Sequence, residues 1–299
     1  MYMTGFADEA GASLDIQTRV TKELGWRDIE SRNVQVDDFP AGWIHDISDA
    51  AFDRLAAKLE TADVRINCFG SAIGNWGKHI DQPFDSSLAE VRRCIPRMQR
   101  LGTRLVRIMS FAVRTDDDQM EEERFRRVRE IHRMFTDAGL TALHENCMNY
   151  GGMGWQFTLK LLEKVPGLKL VFDTGHPVAS DDHSKPKPYP KQSSWEFYSH
   201  VREHVAYIHI KDGIYDASAQ KMNFTYPGEG QGDIPKIIKD LFARGYDGGF
   251  SIEPHLGTVF HDPHSQRSLD AAEMYATYGR RMMQMIDNIR TELRLRPYR

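Results

Sequence analysis

Residues 141–176 read TALHENCMNYGGMGWQFTLKLLEKVPGLKLVFDTGH. Two short apolar runs, Thr141–Glu145 and Leu168–Asp173, enclose an amphipathic stretch at 155–164. The outer runs have the length and apolar character of strands, and the stretch between them repeats its apolar residues at helical spacing. A strand, a helix and a second strand in this order form a parallel βαβ unit, because parallel neighbours need a long crossover. The same alternation continues in both directions. Further strands are predicted at Met3–Ala7, Asp28–Arg32, Val64–Phe69, Leu105–Met109, Val205–Lys211 and Gly249–Glu253. Helices are predicted at 14–25, 48–62, 84–101, 120–138, 193–203, 234–244 and 270–293.

Eight such strands alternating with eight helices in 299 residues fit a single α/β domain over 1–299, a closed (β/α)8 TIM barrel. The alternative is an open doubly wound sheet, which usually carries a Gly-rich phosphate turn after an early strand. The chain has neither GxGxxG nor a GxxxxGK phosphate loop; GSAIGNWG (70–77) has the wrong spacing and reads as a loop on the substrate side.

The helices carry periodic stripes. In 120–138, Phe125, Val128, His132 and Phe135 share one side, while Glu122/Arg126 and Glu123/Arg127 are i,i+4 pairs on the other. The run EEERFRRVRE is therefore expected as a solvated helix face rather than a nucleic-acid patch. In the last helix, Ala271, Tyr275, Tyr278, Met282, Met285, Ile289 and Leu293 form a stripe expected to enter the core. Ser48, Ser193, Ser194 and Asp233 stand at predicted helix starts.

Composition narrows the function classes. Apolar residues make up 40% and charged ones 27%, ordinary values for a globular protein. Lys plus Arg is 39 against 43 Asp plus Glu, a formal net charge of -4, which argues against a surface built to grip nucleic acid. No apolar run approaches the length of about 18 residues that a membrane helix needs. The start, MYMTGFADEAG, lacks the basic and long apolar segments of a secretory signal. Cys68, Cys94 and Cys147 are too scattered for a disulfide framework or a CxxC metal site. These features predict a cytoplasmic protein with reduced thiols and neither a nucleic-acid nor a membrane partner.

In a TIM barrel, chemistry sits at the C-terminal ends of the strands. There the sequence places Glu30 (IESRN), Glu145 (LHEN), Asp173 and His176 (VFDTGH), His209 and Lys211 (YIHIKD), and Glu253 and His255 (FSIEPH). Ending a buried apolar strand in an acid is costly unless the acid is paired. Four successive strands each deliver one metal-capable group: Glu145, Asp173, His209 and Glu253. Three carboxylates and one imidazole suit manganese, magnesium or cobalt better than a structural zinc. The competing reading is a structural ion-pair cluster.

The motifs VFDTGH, IHIKD, PGEGQGD and YDGGFSIEPH, in this order, resemble the xylose isomerase-like TIM barrels, the sugar phosphate isomerase/epimerase superfamily. The resemblance runs from FADEA to the last helix and implies one divalent metal, manganese first with magnesium, cobalt or zinc as alternatives, on Glu145, Asp173, His209 and Glu253. It implies an isomerase or epimerase in which Glu145 and Glu253 handle a proton beside the carbonyl of a ketose, cyclitol or keto-sugar. His176 would be directed at a substrate oxygen, and Glu30 would meet substrate hydroxyls. Lys211 stands where several ketose epimerases differ, and with His144 and Glu229 it completes the residues expected near substrate. His144 follows its strand's outward phase and is read first as structural, and second as a base of the kind the lyase-like members imply.

The alternative activity is a lyase of the inosose dehydratase or C-glycoside deglycosidase kind, in which elimination follows the same proton removal. An endonuclease IV-like phosphodiesterase and a non-catalytic binding barrel are the remaining readings. The loops 180–194 and 213–232 are expected to cover the site, with Trp76, Trp155 and Tyr226 available to stack on a sugar. The basic tail RTELRLRPYR reads as solvated or as an oligomer contact. A homo-oligomer is expected, or a small partner subunit for the lyase.

Overall fold

A computed structural model describes residues 1–258 and 266–298. Eight parallel strands form the barrel: β1 Tyr2–Gly5, β2 Asp28–Ser31, β3 Arg65–Gly70, β4 Leu105–Ile108, β5 Thr141–Glu145, β6 Lys169–Asp173, β7 Val205–Ile210 and β8 Gly249–Ile252. The sheet runs from β1 through β8 and then in descending order to β2. A parallel bridge between Phe6 and Glu30 joins its two ends, so the barrel is nearly closed. The helices are α1 Leu14–Glu23, α2 Asp49–Ala62, α3 Asp85–Leu101, α4 Glu121–Asp137, α5 Trp155–Lys164, α6 Ser194–Val201, α7 Ile234–Ala243 and α8 Ala271–Glu292.

Strand alternation divides the interior from the helix layer. On β7, Ile208 and Ile210 join the core shared with the helices, while Tyr207 and His209 point inside. The lower barrel is plugged by Cys68, Leu143, Val171 and Tyr207. Above this plug the inward residues are charged, and that layer lies at the carboxyl ends of the strands.

Several expectations need adjustment. The strands β2, β7 and β8 end at Ser31, Ile210 and Ile252, so Arg32, Lys211 and Glu253 each stand one residue beyond the ladder. Ser48 and Ser193 accept the backbone N–H of Ala51 and Glu196, as helix caps do. Asp233 stands at its helix start without a side-chain cap, in a left-handed conformation. In α4, Arg126 pairs with Glu123 and Glu130 rather than Glu122, and Ile131 is buried where His132 is only partly so. Arg124 is not solvated: it is fully buried and donates to the carbonyls of Ser110, Ala112 and Gln119. Burial lowers this guanidinium to about 10, a direction opposite to that of an ion-paired arginine.

The 213–232 segment is more ordered than a loop. It forms an antiparallel hairpin, Gly213–Asp216 with Lys221–Phe224, followed by the PGEGQGD turn. The Asp212 carboxylate accepts the N–H groups of Gly213, Gly228, Gly230 and Gly232. A Cβ at Gly230 would lie 2.3 Å from Asp212 Oδ1, so the motif's glycines let the chain close on that carboxylate. Arg299 of the basic tail lies outside the described residues.

Candidate active site

The charged layer is assembled from strand ends. Asp173 closes β6, and its Oδ1 accepts the N–H groups of Gly175 and His176 at 2.8 Å each. The DTGH turn therefore fixes the carboxylate and turns Oδ2 inward, where the Lys211 ammonium lies 3.0 Å away. Asn146, next to Glu145, staples β5 to β6 by exchanging hydrogen bonds with the Asp173 backbone. Glu145 Oε2 accepts from Arg107 at 3.2 Å, and its Oε1 lies 2.8 Å from His209 Nδ1. Glu253 is gripped by Arg32 at 2.8 Å and by Lys211 at 2.7 Å.

His209 Nε2 lies 3.0 Å from Glu30 Oε2, which also accepts the hydroxyls of Tyr207 and Ser251. Glu30 is thus fully buried beneath the layer, where its carboxylate pairs with His209. Behind Glu253, Arg32 also pairs with Asp8 and Glu9, and Glu9 accepts the backbone and ring N–H of His255.

Burial raises the carboxyls of Glu145, Asp173 and Glu253, and the cations beside each decide what remains. For Glu145, Arg107 and His209 outweigh burial and hold the carboxyl well below its usual range. For Glu253, Lys211, His255 and Arg32 do the same. Asp173 goes the other way: burial, with Glu253 and Glu145 beside it, overcomes Lys211 and pushes it up to about 7. Burial alone would lower His209, but Glu30 and Glu145 raise it to about 10.

Glu145, Asp173, His176 and Glu253 each offer one donor atom, and these atoms all lie within 4.8 Å of one another. Three carboxylate oxygens and one imidazole nitrogen at this spacing fit a hard divalent cation. The imidazole in this group is His176. His209, the one expected from the sequence, has both ring nitrogens engaged by carboxylates. Lys211 sits among the donors.

His144 and Glu229 are not brought to this layer. His144 points out of the barrel, within hydrogen-bond distance of Ser110 Oγ and Asn149 Oδ1. Glu229 is half exposed and pairs with Arg281 on α8. Trp155 stacks on His200, and Tyr226 lies under Arg281. The cavity of about 240 Å³ beside the cluster is lined by Met148, Met153, Met222 and Phe224 on its apolar part, and by His176, Lys211, Asp181 and His183 among its polar groups. Sequence reading missed Arg107 and Arg32; the signal for Arg107 was an arginine inside the apolar run LVRIM.

The fold and the polar strand-end cluster define a class: a parallel (β/α)8 barrel with its site at the carboxyl ends of the strands. A family model, the xylose isomerase-like TIM barrel, matches residues 19–278, and the chain belongs to that family. Among solved structures, D-psicose 3-epimerase with D-tagatose from Clostridium cellulolyticum H10 aligns with a TM-score of 0.67 and 15% identity, over 97% of this chain and 99% of its own. A xylose isomerase-like TIM barrel protein from Mycobacterium smegmatis, in complex with magnesium, aligns at 0.67 and 17%, over 91% and 88%. The probable 3-DHS dehydratase AsbF from Bacillus anthracis aligns at 0.67 and 15%, over 94% and 98%. At these identities the likeness is one of fold. No curated protein matches the sequence. Among the described residues, no helix is long and apolar enough to cross a membrane.

Proposed function

We propose that the chain is a divalent-metal-dependent isomerase or epimerase acting on a ketose, cyclitol or keto-sugar, with manganese the first candidate metal. The observation that carries this reading is the convergence of Glu145, Asp173, His176 and Glu253 within 4.8 Å at the catalytic end of the barrel. A cation held there would polarise a substrate carbonyl and acidify the neighbouring C–H. Glu145 and Glu253 are held ionised by their cationic neighbours, so both are ready to accept a proton. Carboxylates held this low are weak bases, so the reaction depends on acidification of the C–H. One glutamate takes the proton and the C–H electron pair moves toward the carbonyl oxygen; the same glutamate returns the proton to the neighbouring carbon in isomerisation, or the other glutamate, protonated from solvent, delivers one to the opposite face in epimerisation. His176, the nitrogen donor of this set, also borders the cavity in which a substrate would lie.

The methionines and Phe224 in the cavity favour a second reading, elimination from a keto-glycoside. A sugar hydroxyl buried against them is left without a partner, whereas an apolar aglycone is not. The first half-reaction is the same, and the electron pair then expels the group at the β carbon. The neighbouring dehydratase fold is compatible with this chemistry.

Both readings are tested by adding Mn²⁺ and D₂O and following substrate C–H signals by NMR with D-fructose, D-tagatose, myo-inosose and a 3-keto-glucoside. Exchange with epimerised product supports the first reading, and release of aglycone the second. No exchange on any of them, with metal bound, contradicts both.

A further inference from the structure

Lys211 occupies the position where the metal donors meet. Its Nζ lies 3.0 Å from Asp173 Oδ2 and 2.7 Å from Glu253 Oε2, and donates to His176 Nε2 at 3.2 Å. These are three of the four residues whose donor atoms converge. The side chain is 2% exposed. An ammonium and a divalent cation therefore address the same lone pairs, and two cations at contact distance in a buried site repel strongly.

The surroundings are shaped for this lysine. A Cβ at Gly175 would meet Lys211 Cγ at 2.7 Å, so the glycine of the DTGH turn leaves space for the stem. The Lys211 backbone is pinned to the same turn: its N–H donates to Thr174 Oγ1, and its carbonyl accepts the Thr174 hydroxyl. Only the side chain is left to move. It also lines the cavity of about 240 Å³, which gives the ammonium somewhere to go.

We propose that Lys211 is a built-in competitor for the metal: its ammonium holds the donors together in the metal-free protein, and metal entry displaces it into the adjoining cavity. This rests on the metal-dependent reading above. Two consequences follow. The metal-free site does not collapse from carboxylate repulsion, and metal is bound more weakly than the donor set alone would bind it. In the loaded protein the displaced ammonium faces the substrate cavity, so metal loading and substrate charge recognition are coupled.

The test is calorimetric titration of MnCl₂ into chelator-stripped wild type and K211M. K211M is expected to bind Mn²⁺ at least tenfold more tightly, to melt lower without metal and to gain more from Mn²⁺. Equal or weaker binding by K211M overturns the competition. Binding by neither protein overturns the metal reading and, with it, this inference. Wild type supplies a second measurement that does not depend on a variant folding. Amine acetylation read by mass spectrometry is expected to spare Lys211 in the stripped protein. It should modify Lys211 several-fold faster with Mn²⁺, against an unchanged rate at Lys239. Protection that does not change with Mn²⁺ overturns the displacement.

Discussion

His144 and His209 are both fully buried, both on barrel strands, and both near Glu145, yet their environments drive them in opposite directions. His144 faces outward among neutral partners, Ser110 and Asn149, and burial lowers it to about 4. His209 faces inward between Glu30 and Glu145, whose charges outweigh burial and raise it to about 10. Facing out of the barrel or into it thus separates a neutral packing histidine from an ionic one. Burial alone says nothing about a histidine's charge; the partners do.

The comparison breaks most severely at His209. In metal-free protein, H209L leaves Glu30 and Glu145 buried without the cation between them. The expected loss is about 3–5 kcal/mol in urea unfolding, against about 1–2 kcal/mol for H144N, which keeps an amide near Ser110. Comparable losses for the two variants would erase the distinction.

The pH dependences should run oppositely. His144 has its folded pKa depressed, so its contribution is present above the unfolded value near 6.5 and is lost as pH falls toward about 4. Its loss amounts to about 3 kcal/mol at pH 4, so H144N should lose less than wild type between pH 6.5 and 4. His209 has its folded pKa raised, so its contribution is present below 6.5 and is lost as pH rises toward about 10. Wild type and H144N should therefore weaken in parallel over that upper window. Urea midpoints at several pH values, measured in chelator, check both arms.

A smaller effect is expected at Gly151, whose added Cβ would lie 2.2 Å from His144 Cε1. G151A should cost about 1–3 kcal/mol by displacing the imidazole, with metal binding unchanged, because this side of β5 does not face the cluster. Altered metal binding in G151A would show that the two histidine environments are coupled. The smallest effect belongs to E229Q, which should leave both the melting temperature and turnover at wild-type values. Its side chain pairs on the surface with Arg281, far from either histidine in the chain's packing.

The eight strands were legible because each is an apolar run bounded by helical periodicity, as in LKLVFD. The carboxylates of the site were legible because an acid at the end of such a run is costly without a purpose. Which imidazole joins them was not. His176 and His209 both follow a strand-end motif, and the choice depends on the side-chain partners Glu30 and Lys211, which come from β2 and the end of β7. Arg124 was hidden inside EEERFRRVRE because a charge run reads as solvated, although one of its members is buried and ties down the preceding loop. His144 could be placed from strand alternation alone, since its neighbour Glu145 must face inward.

The central claim is that the strand-end carboxylates hold one divalent cation. Metal content after Mn²⁺ reloading and desalting, measured by plasma mass spectrometry on wild type and on the Asp173→Asn, Glu253→Gln double variant, tests it most directly. About one manganese per wild-type chain, lost in a folded double variant, is the expected result. No stoichiometric metal in the reloaded wild type would contradict it and leave the cluster an internal salt-bridge network.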